Sequence, residues 1–170
     1  MTVAEQRRAV FSLASSLEDG LEALQGGFDG LLDAPGIAAV GCSSVYETVP
    51  VGDREQADLL TAVLVADTVL PSALLLERAH GVQAAMHRDR DGTREVIDVD
   101  LVSVGSETGE DPLLRLPHPR AHQRAWVLVP WHEVDPAGWL PGSGAVGDLV
   151  AAVADQDLWP REDLQLRPPT

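Results

Sequence analysis

The chain has 170 residues, enough for one domain with a continuous core and short for two. Its 45% hydrophobic and 23% charged content is that of an ordinary globular protein, and it lacks the run of about 18 apolar residues that a transmembrane helix requires. A net charge of −15 argues against general binding to nucleic acid or to anionic lipid. The first twenty residues are broken by serines and acids and do not read as a secretory signal. The single cysteine, Cys42, excludes an internal disulfide and reads as a small core residue, so a cytoplasmic protein is expected.

In chain order, residues 8–14 read as a first strand, with Ser15 or Ser16 placed to cap a helix. Leu17, Leu21, Leu24, Phe28, Leu31 and Leu32 recur at helical spacing and predict that helix over 17–33. Residues 38–49 are rich in β-branched side chains and predict one second strand. A polar loop opened by Pro50 and Gly52 leads to a third strand over 59–69. Pro71 introduces a helix from Ser72 to about Met86. A charged loop (87–94) precedes an alternating strand over 96–105. A short helix over Ala121–Leu128 and a last helix over 145–155 follow. The domain is expected to span 1–155, with a loosely packed, proline- and charge-rich tail over 156–170. The order βαββαβ predicts an α+β fold, a ferredoxin-like sandwich with a mainly antiparallel sheet and helices packed on one face.

All twelve basic residues are arginine, and six of them fall between positions 88 and 124. Arginine's planar fork suits phosphate oxygens, so a local anion site inside an acidic protein is expected. Asp98 and Asp100 in VIDVD stand two apart on a strand, which sends both carboxylates to one face. Two such carboxylates can hold magnesium and leave positions open for phosphate oxygens. Arg88 and Arg90 lie just upstream, and His118 sits between two prolines with Arg124 after it. Metal-binding carboxylates, phosphate-binding arginines and one histidine are the parts that nucleotide phosphoryl or pyrophosphoryl transfer needs. GSGAVG (142–147) matches a dinucleotide fingerprint but has no strand before it. His118 and His122 are four apart, yet Pro119 disfavours a helix there, so zinc is not expected.

In this order, these segments resemble the hydroxymethyldihydropterin pyrophosphokinase family over residues 8 to about 155. SLASSLEDG looks like the family's SLGSNLGD. SSVYETVPVGDREQADLLTAV looks like its S-x-x-Y-E-T-x-P-x-G followed by Q-x-D-(F/Y)-L-N-A-V. HRDR matches G-R-x-R at both arginines, VIDVD matches the L-D-(I/L)-D strand, and LPHPRAHQRAWVLVP is similar to L-P-H-P-R-x-x-x-R-x-F-V-L-x-P. The resemblance implies transfer of diphosphate from ATP to 6-hydroxymethyl-7,8-dihydropterin, with AMP released and two Mg2+ ions as cofactors. On that pattern Asp98 and Asp100 hold the metal, while Arg88, His118 and Arg124 are catalytic. ATP is bound by Arg88, Arg90, Arg94, Gln83, His118 and Arg124. Thr48, Pro50, Thr61 and Trp126 line the pterin pocket. The partners implied are ATP and a pterin alcohol, with no nucleic acid, no membrane and a monomeric chain.

The sequence also departs from the pattern. The family's Gly and Asn are Ala14 and Ser16, its pterin-contacting Asn is Thr61, and the ring two residues before that is Leu59. The helix glutamate is Gln83 and the following glycine is His87. The R-W-G-P-R loop is shortened to about DGTR, with its second arginine at Glu95 or, with a gap, Arg94. The ATP and metal half is thus kept better than the pterin half. A member with a different acceptor and a non-catalytic nucleotide-binding relative are the alternative readings.

Overall fold

The computed structural model describes residues 4–33, 35–49, 58–86 and 96–167. The chain runs β1 (Arg7–Ser16), α1 (Gly20–Asp33), β2 (Ile37–Cys42), β3 (Tyr46–Thr48), β4 (Leu59–Thr68), α2 (Ser72–Met86) and β5 (Ile97–Val104). Then come a small hairpin of β6 (Gly109–Asp111) and β7 (Leu114–Leu116), a 3-10 turn (Ala121–Gln123) and α3 (Ala125–Val134). The hairpin β8 (Trp139–Leu140) and β9 (Gly144–Ala145), α4 (Val146–Ala152) and β10 (Leu158–Pro160) complete it. β4, β1 and β5 lie side by side, β2 and β3 both pair with β4, and β10 extends the sheet beyond β3. All of these pairs are antiparallel.

Period-two alternation divides the strands between two cores. Phe11 and Leu13 of β1, Ala62 and Leu64 of β4, and Ile97 and Val99 of β5 face α1 and α2, meeting Leu24, Phe28, Leu31 and Leu75. α1 comes close to the sheet at Gly27, where a Cβ would lie 2.6 Å from Ile97 Cδ1 and 2.8 Å from Leu13 Cδ2. The other face carries Val10, Val63, Val65 and Val102, packed against Leu128 and Trp131 of α3 and Val146 of α4. This is the α+β, ferredoxin-like βαββαβ sandwich. The expectation of helices on one face holds for α1 and α2 and is incomplete. The apolar side chains of α3 and α4 bury against the second face, and among the described residues the end of that face near Asp98 and Asp100 stays open.

Several local expectations are corrected, among them the short helix over Ala121–Leu128, which is a 3-10 turn over Ala121–Gln123 followed by α3 over Ala125–Val134. Residues 38–49 form two strands, because Ser43 substitutes its side chain for part of the ladder. Its backbone N–H donates to Val63 O at 2.9 Å, and its hydroxyl accepts the Val63 N–H at 2.9 Å. Ser15 and Ser16 do not cap α1. Both belong to β1; Ser15 Oγ donates to Val96 O at 2.7 Å and Ser16 Oγ to Glu18 O at 3.0 Å. The turn into α1 is made instead by Asp19, with φ of 59°, whose carbonyl accepts the Ala23 N–H.

Residues 156–167 are not loose. β10 pairs with β3, Leu158 packs against the α3 core, and Leu164 and Leu166 pack against the α1 core. Arg161 donates to Glu47 at 2.7 Å, and the Arg167 N–H donates to Gln25 Oε1 at 2.7 Å. Alternate leucines between the prolines and charges supply enough apolar surface to dock the segment.

Candidate active site

β5 places Asp98 and Asp100 on the open end of the second face, opposite Ala14 and Ser12 of β1 in the register. Asp98 is exposed and Asp100 half-buried. The adjoining edge of β5 is held by the Gln83 side chain, whose Oε1 accepts the Val99 N–H at 2.9 Å. Gln83 is thereby fixed beside the two aspartates.

The LPHPR segment docks on the same strand, with the His118 N–H donating to Val102 O at 2.8 Å. His118 Nδ1 accepts the Arg120 N–H at 3.2 Å, so in the neutral ring the proton sits on Nε2 and makes that nitrogen a donor. Burial lowers the His118 pKa from the ordinary 6.5, Asp100 opposes this, and Arg124 and Arg120 reinforce it. His118 is accordingly a neutral donor at neutral pH.

Arg124 stands at the N-terminal cap of α3 and turns toward the aspartates, its Nη1 3.8 Å from Asp100 Oδ2. Burial lowers its pKa, while Asp100 and Asp98 pull the other way. Such a guanidinium stays charged. Its carbon also lies 5.1 Å from the centre of the half-buried Trp126 ring, within cation–π range.

Beyond Ala14 on the same face lies Thr61, and beyond it Tyr46. Thr61 is fully buried, and its Oγ1 has no hydrogen-bond partner among the described residues. Thr48 is 1% exposed and donates its hydroxyl to Asp157 O at 2.9 Å, so its side chain is already committed. Tyr46 donates to Glu133 at 2.6 Å, and Glu133 also accepts the N–H and hydroxyl of Ser44. Burial, with Glu133 adding to it, raises the Tyr46 pKa. Burial likewise pushes Cys42 up to about 12, which keeps the thiol protonated.

The fold thus brings Asp98, Asp100, His118, Arg124 and Trp126 to one place, with Thr61 and Thr48 on neighbouring strands. Arg88, Arg90, Arg94 and Pro50 lie outside the described residues. Two exposed or half-buried carboxylates on one strand face are hard oxygen donors of the kind that magnesium takes together with substrate phosphates. GSGAVG forms the turn of the β8–β9 hairpin, β9 itself and the start of α4, so a strand of two residues does precede it, within a hairpin and not a βαβ unit.

Sequence reasoning missed a cavity of about 170 Å³ beside Asp100 and His118, walled by Leu76 and His80 of α2, Leu101 of β5 and Leu113 before β7. Its signal was faint: Leu113 stands in the polar stretch GEDPLLR and is 83% exposed, an apolar residue with no core to serve.

Residues 10–136 match the model of the family described as 7,8-dihydro-6-hydroxymethylpterin-pyrophosphokinase. The chain is 36% identical to the 2-amino-4-hydroxy-6-hydroxymethyldihydropteridine pyrophosphokinase of Mycobacterium tuberculosis, with 96% of this chain and 91% of that protein covered. It is 39% identical to the protein of the same name from Mycobacterium leprae, covering 94% and 88%. Among solved structures it is similar to Plasmodium falciparum HPPK-DHPS with pterin and p-hydroxybenzoate, with a TM-score of 0.67 at 13% identity. That match covers 89% of this chain but only 44% of the Plasmodium chain, and it bears on the fold alone.

Proposed function

The chain belongs to the 7,8-dihydro-6-hydroxymethylpterin-pyrophosphokinase family, enzymes of folate biosynthesis that move a diphosphate from ATP to hydroxymethyldihydropterin, and we propose that it does so with the groups gathered at the open end of β5. The observation that carries this reading is the convergence of Asp98, Asp100, His118 and Arg124 beside a cavity, with Trp126 against Arg124 and Thr61 on the same sheet face. The cavity, with its apolar walls, suits the nucleoside of ATP, and the Trp126 ring suits a flat acceptor.

In the reaction the hydroxymethyl oxygen forms a bond to the β-phosphorus. The bond from that phosphorus to the bridging oxygen of the α-phosphate breaks, AMP leaves and the alcohol proton is released. Asp98 and Asp100 would hold two Mg2+ ions, which when bound neutralise phosphate charge. Arg124 offers its guanidinium to the phosphates from the α3 side, and His118 offers Nε2–H from the β5 side. Both are fixed before substrate arrives, the condition under which such donors act on developing charge. Trp126 presents a ring for the pterin to stack on, and Thr61 a buried hydroxyl to read its edge. Arg88 and Arg90 would complete the phosphate contacts.

The test is AMP formation from magnesium ATP with and without 6-hydroxymethyl-7,8-dihydropterin, with Asp98→Ala as the blank. Pterin-dependent AMP that is lost in the variant is expected. A wild-type protein that binds magnesium ATP but gives no pterin-dependent AMP overturns the acceptor. A modified acceptor is the second reading, favoured by Thr61, which offers one hydroxyl where the family pattern has an amide.

A further inference from the structure

Arg124 is an unusual residue for the place it occupies. Helix N-caps are best made by short side chains that accept the free N–H groups, and the positive end of the helix dipole repels a cation. Arg124 makes no side-chain capping bond to α3. The capping is supplied from elsewhere, by Gln156 in the segment that leads into β10. Gln156 Oε1 accepts the Ala125 N–H at 3.0 Å, and its Nε2 donates to Gln123 O at 2.7 Å. One amide thus clasps the backbone on both sides of Arg124. The next residue clasps β3, the acceptor strand in that it pairs with Thr61 of β4: Asp157 O accepts the Thr48 hydroxyl at 2.9 Å and the Val49 N–H at 3.3 Å.

Resting on the reading of the site above, we propose that Gln156 is a positioning residue for Arg124, the amide clasp that aims its guanidinium at the phosphates and ties it in register to the acceptor strand through Asp157. Among the described residues the backbone of Arg124 itself is held by its N–H donating to Ala121 O of the 3-10 turn and by its carbonyl accepting from Val127 and Leu128 of α3. Loss of the clasp frees the first turn of α3 and lets the guanidinium swing between Asp100 and Trp126.

The test is a double-mutant cycle in the full chain with Gln156→Met, Arg124→Ala and the pair. Each protein is measured for affinity for magnesium and a non-hydrolysable ATP analogue, for pterin-dependent kcat and for Tm. Gln156→Met keeps the side chain's length and removes both bonds. It should weaken nucleotide affinity or kcat by about five- to tenfold, the size expected of neighbours in one network. In the Arg124→Ala background the same change should cost less than about twofold, because there is no guanidinium left to aim. Losses that multiply in the double variant, or wild-type affinity and kcat in Gln156→Met, overturn the proposal. If Gln156→Met does not fold, Gln156→Glu, which retains the acceptor for Ala125 and loses the donor to Gln123, carries the same cycle. The nucleotide-affinity arm decides the role of Gln156 even if no pterin-dependent turnover is found, an outcome that overturns only the assigned acceptor.

Discussion

Thr61 sits in the middle of β4 with a buried hydroxyl that pairs with nothing among the described residues. An unmade bond of this kind costs stability, and a site can use it by offering the bond to a ligand. Thr61→Val should therefore raise stability by about 1 kcal/mol, or about 2–4 °C in Tm, while weakening acceptor binding. Calorimetry checks the first effect and the KM for the pterin the second; a lower Tm would mean the hydroxyl is already satisfied. His118 and Arg124 belong to the opposite class, groups held ready for charge. Replacing either with Ala should cut transfer by more than about tenfold, as loss of a transition-state electrostatic contact does, with wild-type rates in both variants removing them from the phosphates. At this scale the sequence was readable where geometry is local: two aspartates at i and i+2 on a strand must share a face. It was opaque where a side chain is used up by a distant backbone group, as with Thr48 on Asp157 or Gln83 on Val99.

The limits of several elements were legible, although α1, expected from Leu17, begins at Gly20 because β1 runs on to Ser16. α2 begins at Ser72 and finishes at Met86 as its spacing predicts, and β4 and β5 fall within a residue of their expected limits. The break between β2 and β3 was not legible, because it depends on Ser43 finding Val63 across the sheet. Nor was β10, a strand of three residues whose apolar positions make sense only once β3 is beside it. The docking of this last segment has a measurable size. Ending the chain after residue 155 removes β10 and the burial of Leu158, Leu164 and Leu166. At about 1 kcal/mol or more for each partly buried leucine, Tm should fall by at least about 5 °C. A differential scan of the two proteins checks this, and an unchanged Tm would show that the segment contributes nothing.

Over the whole molecule, charge is unevenly divided: the chain carries −15 in all, yet two of the functional side chains on the open end of the sheet are arginine and histidine. The overall negative charge keeps the body dispersed, while the guanidinium of Arg124, set beside the two aspartates, supplies a local point of attraction for phosphate. With a pI of about 4.5, solubility should pass through a minimum as the pH falls toward that value, which light scattering across a pH series would show. The ferredoxin-like layout was legible at this scale because βαββαβ order alone prescribes it. The covering of the second face was not, since α3 has a proline at Pro130 and little amphipathic contrast to show which way it turns. The late clasp formed by Gln156 and Asp157 also has a bearing on birth. A chain emerging from the ribosome can pair β1, β4 and β5 and pack α1 and α2 long before residue 156 is made, because domains begin to fold from the N-terminal side. Tyr46 of β3 already bonds Glu133 of α3, and the amide clasp around Arg124 is added to that link only by what arrives afterward. The nascent protein is therefore expected to hold its sheet before it acquires its aim.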